Sequence, residues 1–168
     1  MDARYINPFI KSVCNTFETM CSMPITIGKP ALKSADDPKN DVSSVIGFSG
    51  DATGAVVLHF SFETASKIAT AFAGIEVDAE HADFADALGE LANMVAGGAK
   101  AQFQGLDIAI SLPSVIVGKN HNVSASRNTP RLIIPCTTKA GAFGVEVGMV
   151  MGKKPVQVSS PEAAGAIS

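Results

Sequence analysis

A carboxylate and a carboxamide lie one helical turn apart in the segment ALGELANMVAGGAK, residues 87–100. Glu90 and Asn93 are separated by three positions, and side chains at that spacing are neighbours on an α-helix. An ionised carboxylate can bind a cationic side chain, and an amide can donate and accept hydrogen bonds at once. An amide is no base near neutral pH, so Asn93 suits the fixing of a water molecule.

The same segment contains residues that disfavour a helix. Asn is a poor helix former, and Gly97 and Gly98 each cost about 1 kcal/mol relative to Ala in a helix interior. The core-facing side of the helix needs none of these residues, and such costs are expected at functional sites. Gly97 follows Asn93 by one turn, so another protein's backbone can approach the amide there. The alternative is a solvated Glu and Asn, with glycines that allow another helix to pack closely.

Helical periodicity over residues 84–104 predicts a long amphipathic helix with one apolar and one polar face. The apolar stripe comprises Phe84, Leu88, Leu91, Val95, Ala99 and Phe103. The polar face comprises Asp83, Asp86, Glu90, Asn93, Gly97, Lys100 and Gln104. The acidic residues before and at the helix start suggest a metal site or, more simply, carboxylates that complement the helix dipole. The three histidines lack ligand spacing, so we predict no metal site.

Composition limits the classes of function. A chain of 168 residues with 46% hydrophobic residues suits one domain with a buried core. The net charge of -3 and the lack of a Lys/Arg cluster argue against nucleic acid and an anionic membrane as partners. No apolar run is long enough to span a membrane or resembles a signal peptide. The three cysteines lack metal or redox spacing, which favours a cytoplasmic protein.

The order of predicted elements repeats once along the chain. We expect a single domain over residues 1–152, followed by a flexible tail over 153–168. Short connections between extended segments predict an α+β fold, a mostly antiparallel sheet with packed helices. The repeated unit is one helix followed by three extended segments, which indicates a pseudo-two-fold arrangement. Predicted helices cover 2–23, 62–74 and 84–104, and predicted extended segments cover 25–33, 43–50, 54–61, 107–118, 130–138 and 142–152.

The segment GELANMVAGGAK resembles the signature of the CheC/CheX/FliY family of chemotaxis phosphatases, a Glu-x-x-Asn pair followed by small residues. Three further blocks match the family in the same order, so the resemblance covers residues 1 to about 150. These blocks are MDARYINPFIKSV, VIGFSGDATGAVVLHFSFETASKIA and LPSVIVGKN. The first helix has Asn15 before Glu18, the reverse of the Glu-x-x-Asn order, so it lacks the second site that larger family members carry. A single site resembles the CheX members more than the CheC members.

This resemblance implies a CheC-like fold and a phosphatase that hydrolyses the aspartyl phosphate of a CheY-type response regulator receiver domain. It implies that Asn93 positions the attacking water and that Glu90 docks a receiver lysine. Partner contacts would come from Asp86, Gly97, Gly98 and Lys100. Mg²⁺ is expected on the receiver, and no cofactor on this chain. CheX-like members are homodimers with joined sheets. The alternative function is a non-catalytic module that binds a signalling or flagellar-switch partner.

Overall fold

Three helices and eight strands make up residues 3–124 and 129–152, which a computed structural model describes. The predicted tail at 153–168 lies outside the described residues. The helices are α1 (Ala3–Cys21), α2 (Phe62–Ala73) and α3 (Phe84–Lys100). The strands are β1 (Thr26–Ile27), β2 (Ala31–Leu32), β3 (Asn40–Gly50), β4 (Ala52–Phe60), β5 (Ile108–Ile110), β6 (Ser114–His121), β7 (Arg131–Thr138) and β8 (Gly141–Met151).

The eight strands form one antiparallel sheet with pseudo-two-fold topology. Its order is β1–β7–β8–β4–β3–β5, with β2 also pairing with β7 and β6 with β3. Exchanging β4 with β8, β3 with β7, and the β1/β2 pair with the β5/β6 pair leaves this order unchanged. The predicted α+β fold and its repeated helix-plus-strands unit are therefore confirmed.

The helices cover one face of the sheet and enclose the core with it. Along β4, Val56, Leu58 and Phe60 are buried against the helices. Phe17 of α1 stacks on Phe143 of β8, with ring centroids 4.8 Å apart and planes 8° from parallel. Because side chains alternate along a strand, His59, between Leu58 and Phe60, points to the opposite face of the sheet.

Several predicted bounds are wrong, and three of them have identifiable physical reasons. The extended segment expected over 25–33 is two short strands, β1 and β2, separated at 28–30, where Pro30 has no N–H to donate to a ladder. The helix expected over 84–104 ends at Lys100, because Gln102 and Phe103 donate their backbone N–H groups to carbonyls three residues earlier. The extended segment expected over 107–118 is two strands, β5 and β6, separated at Leu112–Pro113, where proline has no N–H to donate to a ladder. The predicted end of α2 is confirmed, since Gly74 has a left-handed φ of 71°.

Candidate functional site

The polar face predicted for α3 is the face that the fold leaves accessible. Most of the predicted apolar stripe is buried, comprising Phe84, Leu88, Leu91, Val95 and Ala99. On the other side Glu90 is exposed and Asn93 is half-buried. Within the described residues, no hydrogen bond or ion pair engages either side chain. Both groups are therefore available to bind another molecule.

The other predicted partner-binding residues also lie along α3, at both ends of the pair. Asp86 is exposed one turn before Glu90, and Lys100 is exposed at the last residue of the helix. Gly97 is half-buried, and Gly98 has an exposed backbone. Opposite charges thus flank the central pair, with Asp86 in the first turn and Lys100 in the last turn of α3.

The two adjacent glycines have different surroundings. A Cβ atom on Gly97 would meet no atom within 4 Å, whereas one on Gly98 would collide with Ser12 Oγ. Ser12 donates a hydrogen bond of 2.7 Å from its Oγ to the carbonyl oxygen of Val95. Close packing of another helix, which sequence alone allows for both glycines, therefore accounts for Gly98. No contact in the described chain requires glycine at 97.

A groove beside α3 extends the exposed site towards the sheet. Its volume is about 470 Å³. A Cβ atom on Gly89 would lie 3.3 Å from Val115 Cγ2 and 3.4 Å from Pro113 Cβ, so the helix packs closely there. The lining residues are Ala85, Asp86, Gly89, Glu90, Pro113 and Val115. The sequence does not predict this groove, because no pattern within α3 reveals which loop lies beside it.

A second polar cluster lies on the opposite face of the sheet, around Glu146 of β8. The carboxylate has 0% exposure and lies close to three cationic or imidazole groups. His59 Nε2 lies 2.6 Å from Glu146 Oε2, and Lys33 Nζ lies 3.3 Å from the same oxygen. Arg131 Nε lies 2.5 Å from Oε1. A buried carboxylate is tolerated when it is paired in this way.

The cluster continues through the hydroxyl group of Ser43. Ser43 Oγ lies 2.8 Å from His59 Nδ1 and 2.7 Å from His121 Nε2. Ser, His and Glu also make up some hydrolytic triads, but Ser43 is fully buried and no substrate can reach its oxygen. The cluster is therefore a structural network. The sequence-based predictions do not include Glu146, for which the charged position inside the apolar strand GVEVG was the available signal.

Electrostatics in this network follow from burial and pairing. Burial lowers the pKa of His59, and the Glu146 hydrogen bond and charge oppose that shift without cancelling it. Burial raises the pKa of Glu146, but the His59 hydrogen bond and the charges of Arg131 and Lys33 outweigh burial and lower it. Glu146 is consequently ionised at neutral pH.

Residues 3–124 and 129–152 contain no group of three His, Cys, Asp or Glu residues that could hold a metal ion. Of the acidic residues before α3, Asp78 makes a local turn contact. Asp78 Oδ1 accepts a 3.0 Å hydrogen bond from the Glu80 backbone N–H. No helix in the same ranges is long and apolar enough to cross a membrane.

Known proteins resemble this chain over most of its length. Residues 42–137 match the family model of the chemotaxis phosphatase CheX. The CheY-P phosphatase CheX of Thermotoga maritima is 32% identical over 128 residues, covering 74% of this chain and 83% of that protein.

Solved structures also share the fold. A CheC-like superfamily protein from Shewanella sp. PV-4 has a TM-score of 0.81 and 31% identity, covering 89% of this chain and 99% of that chain. A chain from the CheX–CheY–BeF3–Mg²⁺ complex of Borrelia burgdorferi has a TM-score of 0.75 and 26% identity, covering 86% of this chain and 97% of that chain.

Proposed function

The chain belongs to the chemotaxis phosphatase CheX family, and on that premise we propose that it hydrolyses the aspartyl phosphate of a CheY-like receiver protein. The Thermotoga maritima relative is named a CheY-P phosphatase, which supports this activity. The observation that carries the proposal is the pair on the polar face of α3, an exposed Glu90 and a half-buried Asn93, neither of which has a partner among the described residues.

Hydrolysis of an acyl phosphate requires a water in line with the phosphorus atom, stabilisation of phosphoryl charge, and access to the site. In our proposal, the Asn93 amide accepts a hydrogen bond from that water and fixes its direction of attack. Positioning alone can supply a large part of a rate enhancement. As the water oxygen bonds to phosphorus, the bond from phosphorus to the aspartyl oxygen breaks and the aspartate leaves as a carboxylate. Asn93 takes no proton, and the proton lost by the water leaves with the released phosphate.

Glu90 has a different role in this proposal. Its carboxylate binds a lysine of the receiver close to the phosphoryl group, in a charge-assisted hydrogen bond. That contact places Asn93 against the phosphorus. Mg²⁺ on the receiver would balance the phosphoryl charge, as the metal in the Borrelia burgdorferi complex suggests, so this chain needs no cofactor of its own. BeF3 in that complex stands in for a phosphoryl group.

Access to the phosphate depends on the absence of a side chain at Gly97, one turn after Asn93 on α3. Nothing lies within 4 Å of a Cβ atom built on Gly97, so the receiver backbone can approach the amide closely. We place Asp86 and Lys100 at the two ends of the contact. Gly98 contributes an exposed backbone, while its missing side chain serves the packing of α1.

We also propose a homodimer in which the free edge of β6 joins the sheet of a second copy. β6 pairs with β3 on one side, and no described strand pairs with its other side. Ile116 and Val117 on this strand are 40% and 45% exposed. A lysine at Val117 disfavours edge pairing, so Val117→Lys should convert a dimer to a monomer in analytical ultracentrifugation.

Phosphate release from a panel of phosphorylated receivers tests the proposed activity. The wild-type chain should accelerate loss of phosphate from at least one receiver. Asn93→Ala should lower that rate at least about 100-fold while keeping affinity for the receiver, because only water positioning is lost. Glu90→Ala should lower both rate and affinity. Full activity in Asn93→Ala would overturn the mechanism, and binding without acceleration by the wild type would support the non-catalytic alternative.

A further inference from the structure

Leu112 is the most exposed large hydrophobic side chain in residues 3–124 and 129–152. Its exposure is 87%, and it lies between β5 and β6. A single exposed leucine is common on protein surfaces and needs no explanation by itself. What distinguishes Leu112 are its two neighbours in sequence, Ser111, which is hydrogen-bonded to the sheet, and Pro113, which lies against α3.

The segment is held to the sheet by the residue before Leu112. The Ser111 backbone N–H donates to the Gly47 carbonyl at 2.9 Å, and the Gly47 N–H donates to Ser111 Oγ at 2.9 Å. Ser111 Oγ also donates to the Leu112 carbonyl at 2.8 Å. An apolar side chain presented on a fixed backbone loses little entropy when a partner binds it.

The residue after Leu112 connects this segment to the proposed active site. Pro113 lies against Gly89, the residue that precedes Glu90, and both line the groove of about 470 Å³. One wall of the groove is acidic, with Asp86 and Glu90, and the other is apolar, with Pro113 and Val115. Leu112 stands next to the apolar wall in sequence.

We propose that Leu112 and this groove form a second docking surface for the phosphorylated receiver, which sets affinity and receiver choice. This inference rests on the proposed function. The groove takes a basic side chain of the receiver, whose aliphatic stem lies along Pro113 and Val115 and whose cation lies at Asp86. Leu112 packs on an apolar patch of the receiver next to that basic residue. Asp86 and Leu112 are thus positioning residues that act by binding, apart from the chemistry at Asn93.

Charge complementarity favours the receiver over a second copy of this chain as the occupant. The groove carries two carboxylates that have no partner in the described residues, so a cation is the complementary group. A second copy that met the groove across a two-fold axis would bring Asp86 and Glu90 of both chains together. Like charges so placed oppose association.

Truncation of Leu112, measured against a distant exposed leucine, tests the inference. Leu112→Ala should raise the KM for the phosphorylated receiver at least about fivefold, because the apolar area that the receiver would bury on the leucine is lost, and should change kcat less than about twofold. Leu32→Ala is the matched control, since Leu32 is 67% exposed on β2, at the opposite side of the sheet order. It should change neither constant.

The acidic wall has its own test. Asp86→Asn should raise KM and weaken the dependence of KM on ionic strength, because one screened charge contact is removed. Glu80→Gln is the control, since Glu80 is exposed before α3 and does not line the groove. A salt dependence that is unchanged in Asp86→Asn would remove the basic side chain from the proposal.

Direct binding separates failure of this inference from failure of the proposed function. If the wild type accelerates receiver dephosphorylation and Leu112→Ala has an unchanged KM, the docking surface is wrong and the function stands. If no receiver is dephosphorylated, titration calorimetry with a beryllofluoride-activated receiver decides. Weaker binding by Leu112→Ala supports the surface, and equal binding or no binding by the wild type overturns it. Dissociation of a dimer by Leu112→Ala would also overturn it, by assigning Leu112 to a subunit contact.

Discussion

Carboxylates occur in opposite environments on α3 and at the centre of the sheet. Glu90 is exposed and has no partner among the described residues, whereas Glu146 is fully buried and contacts His59, Lys33 and Arg131. The buried carboxylate satisfies groups within its own chain. The exposed one lies on a helix that also contains Asn93 and Gly97, two residues that disfavour helix formation.

Burial and internal pairing distinguish structural polar residues from functional ones in this fold. In the buried cluster, Glu146 is paired with cationic or imidazole groups of the same chain. Removal of one member should therefore lower the free energy of unfolding. On α3, Glu90 and Asn93 make no stabilising contact with the described residues. Their removal should therefore affect only the proposed reaction with the receiver. The following predictions test whether stability and activity separate along this line.

Removal of the buried carboxylate should have the largest effect on stability. Glu146→Ala leaves Arg131 and Lys33 without their counter-charge, and loss of one member of a buried pair costs about 3 to 5 kcal/mol. Urea denaturation should show this loss in the free energy of unfolding. Glu146→Gln keeps the shape of the side chain and gives a second measurement if Glu146→Ala does not fold.

Glu90→Ala is the matched change at the exposed carboxylate. It should leave the urea midpoint unchanged and lower receiver dephosphorylation. Glu146→Gln should do the reverse, with normal kcat per folded molecule, because α3 lies on the other face of the sheet from Glu146. A normal free energy of unfolding in Glu146→Ala, or a destabilised Glu90→Ala, would contradict the assignment of Glu146 to stability and Glu90 to activity.

A side chain at Gly97 should reduce activity while raising stability. Gly97→Leu replaces a poor helix former with a good one, a gain of roughly 1 kcal/mol, and a Cβ atom there meets nothing within 4 Å. The leucine would hold the receiver away from Asn93, and displacement of about 1 Å can cost 100-fold in rate. Thermal unfolding and phosphate-release assays measure the two effects. An active Gly97→Leu variant would show that close approach at Gly97 is not required.

Thr19→Leu provides the control for this steric change. Thr19 lies on α1, the helix of the other pseudo-two-fold repeat. α1 also has an exposed asparagine, Asn15, but the residue one turn later is Thr19, whose hydroxyl donates to the Asn15 carbonyl at 2.7 Å. This helix therefore lacks the bare surface that follows Asn93. Thr19→Leu should leave receiver dephosphorylation at the wild-type rate.

Alanine at the two adjacent glycines should give different stabilities. Both changes gain the same helix propensity, so the difference between them isolates local contacts. The new methyl group of Gly98→Ala would displace Ser12 Oγ from the Val95 carbonyl, whereas that of Gly97→Ala would displace nothing. We therefore expect Gly98→Ala to be less stable than Gly97→Ala by about 1 to 3 kcal/mol in urea denaturation. In a Ser12→Gly background the difference should disappear, and its persistence would contradict the packing role of Gly98.

Sequence periodicity predicts the parts of this fold that depend on local physics. The apolar stripe of α3 follows from a period of 3.6 residues, and Gly74 ends α2 because its φ of 71° suits glycine. The order of segments and the antiparallel sheet follow from short connections. The Glu90–Asn93 spacing likewise places both residues on one helix face without any tertiary information.

The parts that sequence could not predict depend on contacts between distant segments. Ser43 and His59 are 16 positions apart, His59 and Glu146 are 87 apart, and Ser43 and His121 are 78 apart. Alternation places each residue on a strand face, but it does not say which strands are neighbours. The same limit applies to Gly98, whose close partner Ser12 lies on a different helix, and to the groove at Pro113.

Acidification gives the most gradual test of the comparison, because it changes the charge of the buried cluster without a substitution. Burial lowers the pKa of His59 from 6.5, so between the two pKa values the unfolded chain binds more protons than the folded chain. The pKa of Glu146 is also lowered, from 4.5, since pairing outweighs burial. Because of both shifts, the free energy of unfolding decreases as the pH is lowered. The decrease begins below pH 6.5 through His59 and continues below pH 4.5 through Glu146.

Urea denaturation of the wild type and His59→Gln between about pH 8 and pH 4 measures this loss. Below pH 6.5 the wild-type profile should be the steeper of the two, because only the wild type has an imidazole at position 59 that binds a proton more readily in the unfolded chain than in the folded chain. For one proton the two slopes differ by at most about 1.4 kcal/mol per pH unit. Parallel profiles would mean that His59 has the same proton affinity in the folded and unfolded chains. The pH-dependent stability of the buried cluster would then come from the ionised Glu146 carboxylate alone. The contrast with α3 would rest on that single carboxylate.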